Sequence, residues 1–227
     1  MSSILTRLKI IFGKALADAR AITALKSGQH MDVVDDKKQI VFTPKTPGDR
    51  GIIFYPGGRC DPRAYTLWIK ELANKGWTVI VPRMPLWMPV FDANRASSII
   101  AANQQIRRWA IGGHSMGGVM ACAFAARHLE LVKGLFFLGS YPAKSFAITD
   151  ADLPVLMVSG SKDDITRASE VAAAPERLPQ GSTFVTIEGG DHYQFGDFAS
   201  AEITASISVS QQREEVLNAL TGFLQDL

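Results

Sequence analysis

Apolar positions along this chain fall into short runs separated by stretches of helical periodicity. Gly51-Ile52-Ile53-Phe54-Tyr55 is apolar without alternation, the pattern of a strand buried on both faces. Residues 77–81, closed by Pro82, then Trp109-Ala110-Ile111, residues 134–139, Pro154-Val155-Leu156-Met157-Val158 and residues 183–187 predict further strands. Ahead of them, Val33-Val34 and residues 39–42 flank a polar turn at 35–38 and predict a hairpin leading into the sheet. Between the strands, residues 62–75 place Leu67, Trp68, Leu72 and Ala73 on one stripe and stop at Gly76, which predicts a helix. Helices are also predicted over 93–107, 119–129, 165–178 (limited by Pro175) and 208–227. Strands alternating with helices imply crossover connections. The expected architecture is α/β, a mostly parallel sheet with helices on both faces.

Two segments stand outside that rhythm. Ile4, Leu5, Leu8, Ile11, Phe12, Ala15 and Leu16 recur at helical spacing, interrupted by Arg7, Lys9 and Lys14. Residues 1–28 are therefore expected to form an N-terminal amphipathic helix ahead of a single domain over 29–227. The helix is too charged to span a membrane and lacks the unbroken apolar core of a signal peptide. Its basic face suits an anionic membrane surface, and packing on the domain or in a homo-oligomer contact suits it equally. The second segment is Met84-Pro85-Leu86-Trp87-Met88-Pro89-Val90-Phe91. Its prolines exclude continuous helix, and so much apolar surface is costly unless it lines something or joins the core.

Composition narrows the classes. The 227 residues carry a net charge of +2, too little basic excess for a nucleic-acid-binding surface, and suffice for one α/β core. Cys60 and Cys122 match no metal-ligand spacing and read as free thiols, which suits a cytoplasmic protein, peripheral to a membrane if the N-terminal helix binds one. No metal or cofactor is expected.

The candidate chemistry lies where predicted strands end. In Gly113-His114-Ser115-Met116-Gly117, a strand runs into a serine and a small-residue helix follows. A serine on such a tight turn presents its hydroxyl outward. Gly57 and Gly58, Ser115, Asp163 and His192 each follow a separate predicted strand, and parallel sheets gather chemistry at those carboxyl ends. A serine hydroxyl attacks only if a base takes its proton, and a carboxylate must hold that base in the right tautomer. Of four histidines, His30 precedes the sheet, His114 sits inside the serine turn and His128 ends a helix. His192 remains as the base. Asp163 is favoured as the acid, while the adjacent Asp164 suits capping the next helix and Asp191 is a third candidate. An oxyanion would be met by the backbone N–H of Met116 and by one from Gly58, with Arg59 next in order.

Taken together, these stretches resemble the α/β-hydrolase superfamily, and more narrowly a compact bacterial serine esterase group related to dienelactone hydrolases. The resemblance rests on Phe54-Tyr55-Pro56-Gly57-Gly58, Pro82-Arg83-Met84-Pro85, residues 112–118, Tyr141-Pro142-Ala143, residues 160–163, Glu188-Gly189-Gly190-Asp191-His192 and Gln194-Phe195-Gly196. The order Ser115, Asp163, His192 is that of the superfamily, and Asp163 stands at its usual distance from the strand-ending Gly160. Dienelactone hydrolases proper use a cysteine nucleophile where this chain has Ser115, so their substrate does not transfer. The N-terminal helix lies outside the resemblance.

The resemblance implies a serine hydrolase cleaving small to medium carboxylic esters through an acyl-enzyme. Acyltransferase, thioesterase and peptidase activities share the same triad, and a non-catalytic ligand-binding protein could keep the same fold. Only residues 140–153 join the strands at 134–139 and 154–158, too few for a large cap domain. Trp87, Met88, Phe91 and Tyr141 are candidate walls of an apolar substrate pocket.

Overall fold

The computed structural model describes residues 13–199 and 203–227. Eight strands form one sheet in the order β1-β2-β4-β3-β5-β6-β7-β8. They are β1 (Met31–Asp35), β2 (Gln39–Pro44), β3 (Arg50–Tyr55), β4 (Thr78–Pro82), β5 (Arg108–His114), β6 (Gly134–Leu138), β7 (Val155–Gly160) and β8 (Thr183–Ile187). The hairpin of β1 and β2 joins antiparallel to β4, and every other pairing is parallel. The helices are α1 (Ala19–Thr23), α2 (Thr66–Asn74), α3 (Arg95–Ala102), α4 (Met116–Ala125), α5 (Ala168–Ala172) and α6 (Val209–Gln225).

The unbroken apolar runs are explained by two cores, one on each face. Successive strand residues point to opposite sides. Ile52 and Phe54 of β3, Phe136 and Leu138 of β6, and Leu156 and Val158 of β7 meet Trp68 and Leu72 of α2 and Val216, Leu220 and Leu224 of α6. Ile53 and Tyr55, Leu135 and Phe137, and Val155 and Met157 meet Ile99 of α3 and Ala121, Cys122 and Phe124 of α4. Each of the Val, Leu, Ile, Phe and Met side chains among them, fully buried, contributes about 1.5–3 kcal/mol. Both cysteines are buried free thiols.

Four predicted helices are shorter than expected, the one over 62–75 because Pro62–Tyr65 is a 3-10 turn and α2 starts only at Thr66. The one over 93–107 ends at Ala102, because Asn103 leaves helical geometry and its side-chain amide donates to the Ile99 carbonyl. The one over 119–129 begins earlier, at Met116, and ends at Ala125. The one over 165–178 starts only at Ala168, because Asp163 Oδ1 accepts the N–H groups of Ile165 and Thr166 and holds that stretch in a turn. Pro175 then confines 174–177 to a 3-10 turn.

The predicted N-terminal helix falls partly on residues 1–12, which lie outside the described residues. From Gly13 the chain is not a continuous helix. Ala15 bridges Cys60 and Ala17 bridges Phe198, so these two predicted helix positions are extended. Among the described residues of this stretch only Ala19–Thr23 is helical, capped by the Asp18 carboxylate on the Ala21 N–H. The bonds of Ala15 to Arg59 and Asp61 outweigh the helical periodicity of its neighbours. No helix among the described residues is long and apolar enough to cross a membrane. Between β6 and β7 stands no cap domain, only a 3-10 turn at Lys144–Phe146.

Helix α6 begins with a capping box, Ser208 Oγ accepting the Gln211 N–H while Gln211 Oε1 accepts the Ser208 N–H. Ser208→Ala is expected to lower unfolding stability by about 1 kcal/mol, read from denaturant midpoints at unchanged slope. The helix matters beyond stability. Its buried Gln212 clamps Asp191 through both backbone groups and so fixes the residue beside His192.

Candidate active site

Strand order brings the candidate residues to one edge. The carboxyl ends of β3, β5, β6, β7 and β8 stand side by side and carry Gly57 and Gly58, Ser115, Gly139 and Ser140, Asp163, and His192 respectively.

Ser115 occupies the step from β5 to α4 with φ 53° and ψ −125°. An L-residue held there costs on the order of 1–3 kcal/mol, which the surrounding packing must offset. The turn is possible because its neighbours are glycines. A Cβ on Gly117 would lie 2.1 Å from the Tyr55 carbonyl oxygen, and one on Gly113 would lie 2.4 Å from the Gly117 carbonyl carbon. Backbone bonds complete the clamp, with the Ser115 N–H donating to the Leu138 carbonyl and Ser140 Oγ donating to the Ser115 carbonyl. Among the described residues three more non-glycine residues have positive φ, Arg59, Leu86 and Trp87. The Arg59 N–H donates to the Trp87 carbonyl at 2.7 Å, so these strained segments abut one another. Such strain gathers at functional sites.

His192 and Asp163 are brought together. His192 Nδ1 lies 2.8 Å from Asp163 Oδ2, and both side chains are almost fully buried. Burial alone would raise the Asp163 carboxyl. The hydrogen bond and charge of His192, with the N–H and hydroxyl of Thr166, outweigh it and hold the group below the ordinary carboxylate range. Thr166 Oγ1 lies 2.8 Å from Asp163 Oδ2, 3.0 Å from the Gly139 carbonyl and 3.2 Å from His192 Nδ1.

The other candidate acids are placed elsewhere. Asp164 is exposed, and the expected cap is absent because α5 starts at Ala168 without a side-chain cap. Asp191 is buried and spends its carboxylate on the N–H groups of Gln194, Thr204 and Ala205. His128 bonds to Asn94 away from these groups.

Ser115 and His192 are not hydrogen-bonded in this conformation. The ring of His192 bonds through Nδ1, which leaves Nε2 for another partner. Resting sites of this kind are often loose until substrate binds.

Gly58 packs against Met116, where a Cβ would meet the Met116 sulfur at 3.3 Å. The Met116 N–H opens helix α4, and the first N–H groups of a helix have no intrahelical acceptor. Among the described residues the Gly58 N–H donates to no backbone or side-chain acceptor, whereas that of Arg59 is taken by Trp87. This separates the two loop candidates in favour of Gly58.

The apolar loop divides. Met84 and Pro89 are buried, and Met84 belongs to the core beside α3 and α4. Trp87 lines a cavity of about 50 Å³ with Pro56, Cys60, Pro62, Arg83 and Met84, next to the Gly57 turn. Phe91 is 61% exposed, Met88 is half-buried, and Tyr141 leans on the core. Of the four proposed walls, Trp87 alone lines that cavity.

Sequence reasoning passed over His114, Tyr65, Thr166 and Ser140. His114 was set aside as the middle of the serine turn, yet strand alternation offered a signal. Ala110, Gly112 and His114 share the face packed by α2, which puts the imidazole in a core that must supply partners. Tyr65 lies within the predicted helix 62–75 and carries no mark distinguishing it from packing.

Comparison with known proteins agrees with this architecture. The alpha/beta hydrolase family model matches residues 51–214, more than half of the chain. Among curated proteins, none matches. A predicted CIB-like hydrolase from Thermoplasma acidophilum superposes with a TM-score of 0.65 at 19% identity, covering 87% of this chain and 98% of its own. Est1E from Butyrivibrio proteoclasticus, solved with ferulic acid bound, gives 0.65 at 14% identity, covering 85% and 99%. Dienelactone hydrolase from Anabaena variabilis gives 0.60 at 15% identity, covering 86% and 99%. At these identities the likeness speaks to the fold.

Proposed function

The chain belongs to the alpha/beta hydrolase family, and from that premise we propose that it is a serine hydrolase of carboxylic esters, acting through an acyl-enzyme. The observation that carries the reading is the buried Asp163–His192 pair, 2.8 Å apart, on strand ends neighbouring the strained Ser115 turn.

In this reading Ser115 Oγ rotates to His192 Nε2, attacks the ester carbonyl carbon and gives its proton to Nε2. Asp163 accepts the Nδ1–H throughout, fixing the neutral tautomer and then stabilising the imidazolium. The oxyanion is met by the N–H groups of Met116 and Gly58, the first at the positive end of α4. As the tetrahedral intermediate collapses, His192 returns its proton to the leaving alkoxide. Water then adds to the acyl carbon by the same route and frees the acid. Each oxyanion donor is expected to supply about 10²–10³-fold in rate. The small lining of the Trp87 cavity favours short to medium acyl groups.

Thioesterase, acyltransferase and peptidase chemistry would use the same intermediate and differ only in leaving group or acceptor. A serine-reactive fluorophosphonate applied to the intact chain is expected to give one adduct, mapped to Ser115 by mass spectrometry. p-Nitrophenyl acetate and butyrate should be hydrolysed faster than long-chain esters. A chain that is neither labelled nor active on any ester or thioester of the panel would overturn the catalytic reading in favour of a binding protein.

A further inference from the structure

The buried face of the site holds a hydrogen-bonded chain that the acyl-transfer steps do not use. The Gly57 N–H donates to Tyr65 Oη at 3.0 Å. Tyr65 Oη lies 2.9 Å from His114 Nδ1, and His114 Nε2 lies 3.0 Å from the His192 carbonyl oxygen. Both side chains are completely buried. Its two ends fix the outer bonds, and the protonation state of His114 fixes the middle one. A backbone N–H can only donate and a carbonyl can only accept. His114 must therefore carry a proton on Nε2 and donate it to the His192 carbonyl, while Tyr65 accepts from Gly57. With His114 neutral, Nδ1 is an acceptor and the Tyr65 hydroxyl donates to it. Burial holds its imidazole well below the ordinary histidine range, and the neighbouring His192 ring adds to that, against an opposing pull from Asp163.

We propose that Tyr65 and His114 are positioning residues, which lock the Gly57 turn and the backbone of His192 into one frame so that the oxyanion donor and the base stay in register. The proposal rests on the acyl-transfer reading above. Its ends are the telling feature. One lies next to Gly58, the loop donor, and the other is the backbone of the base itself. The two segments are 135 residues apart in sequence order (57 to 192) and follow non-neighbouring strands, β3 and β8, with no shared ladder to align them.

The surroundings are rigid in the way such a frame requires. Gly57 is glycine because a Cβ there would lie 2.8 Å from His114 Nδ1 and 2.9 Å from Cys60 Sγ. The rings of His114 and His192 are 4.6 Å apart. Tyr65 packs edge-on against Phe54, as does Trp68. Trp68 Nε1 donates to the Phe195 carbonyl at 3.2 Å, a second tie on the turn that follows His192. Alignment to within about an ångström decides whether a bound ester is attacked, and misplacement of that size costs on the order of a hundredfold in rate.

Tyr65→Phe keeps the ring and removes both bonds, and His114→Leu removes the other link. For each variant, kcat is expected to fall about tenfold to hundredfold with KM within about twofold, and the double variant should fall no further than the worse single. The rate of fluorophosphonate labelling should drop in parallel. Assays run well below the unfolding temperature, with near-ultraviolet circular dichroism checking the fold, separate positioning from stability. Variants that lose only thermal stability and keep wild-type kcat would overturn the proposal and leave the hydrolase reading intact. Wild-type protein without labelling or turnover would overturn that reading instead. Should the variants fail to fold, 15N NMR of the wild type decides. A neutral His114 protonated on Nε2 supports the chain, and an Nδ1–H tautomer or a charged ring overturns it.

Discussion

Ser115→Ala is expected to lower ester turnover by at least about 10⁴-fold and to abolish fluorophosphonate labelling, with the fold unchanged. The loss is large because the hydroxyl is the atom that would form the acyl bond. The Met116 and Gly58 N–H groups remain in place and can assist only attack by water. Stability supplies an independent reading. Ser115 sits at φ 53°, a region that alanine tolerates no better than serine, so the alanine variant should unfold near the wild-type midpoint. Ser115→Gly should be equally inactive and yet more stable, by about 1 kcal/mol, because glycine adopts that geometry without a Cβ clash. For a domain of this size that is an upward shift of about 2–4 °C in Tm. A glycine variant that unfolds earlier than wild type would mean that the serine hydroxyl holds the turn together and that strain is not stored there. A more stable but dead variant would identify Ser115 as a position kept for chemistry at the expense of the fold.

How legible the site was from sequence follows from which interactions are local. The β5 turn was legible because glycines at 113 and 117 reflect backbone approaches within one turn and the neighbouring β3 end. The strands were legible because a strand covered on both faces is apolar at every position, as in β6 and in β3 after Arg50. Helix ends were less so. Asn103 and Asp163 stop or delay their helices through side-chain bonds to the backbone, which propensity along the chain does not register. The N-terminal stretch misled because Ala15 has helical spacing yet bonds, as the nearby Ala17 does, to residues more than forty positions away. The Tyr65–His114 chain was least legible. Its partners meet only after β3, α2, β5 and the loop beyond β8 have assembled. Nothing in the spacing of Gly57, Tyr65, His114 and His192 announces them.

Asp163→Asn is expected to cost about 10⁴-fold in kcat at neutral pH, while Asp164→Asn should leave kcat within about twofold. The asymmetry follows from what each carboxylate touches. Asp163 Oδ2 accepts the His192 Nδ1 proton, and its Oδ1 accepts the N–H groups of Ile165 and Thr166. An asparagine can keep the backbone bonds through its carbonyl oxygen, which leaves its amide NH₂ facing Nδ1. The imidazole would then carry its proton on Nε2 and could no longer accept one from Ser115. The same substitution reports on stability with a definite sign. The Asp163 carboxyl is held below its ordinary value, so its charged form stabilises the fold above the unfolded-state pKa of about 3.9, and that contribution fades as pH falls through the folded-state value. The stability gap between wild type and Asp163→Asn should therefore be full at neutral pH and close on acidification below about pH 4. Thr166 refines the test. Its hydroxyl contacts the Gly139 carbonyl, Asp163 Oδ2 and His192 Nδ1, so Thr166→Val should weaken the acid's hold on the base by a smaller factor. Equal losses at positions 163 and 164 would remove Asp163 from the proposed triad. Loss at 163 alone, with the gap closing in acid, would place the orienting charge on the loop after β7.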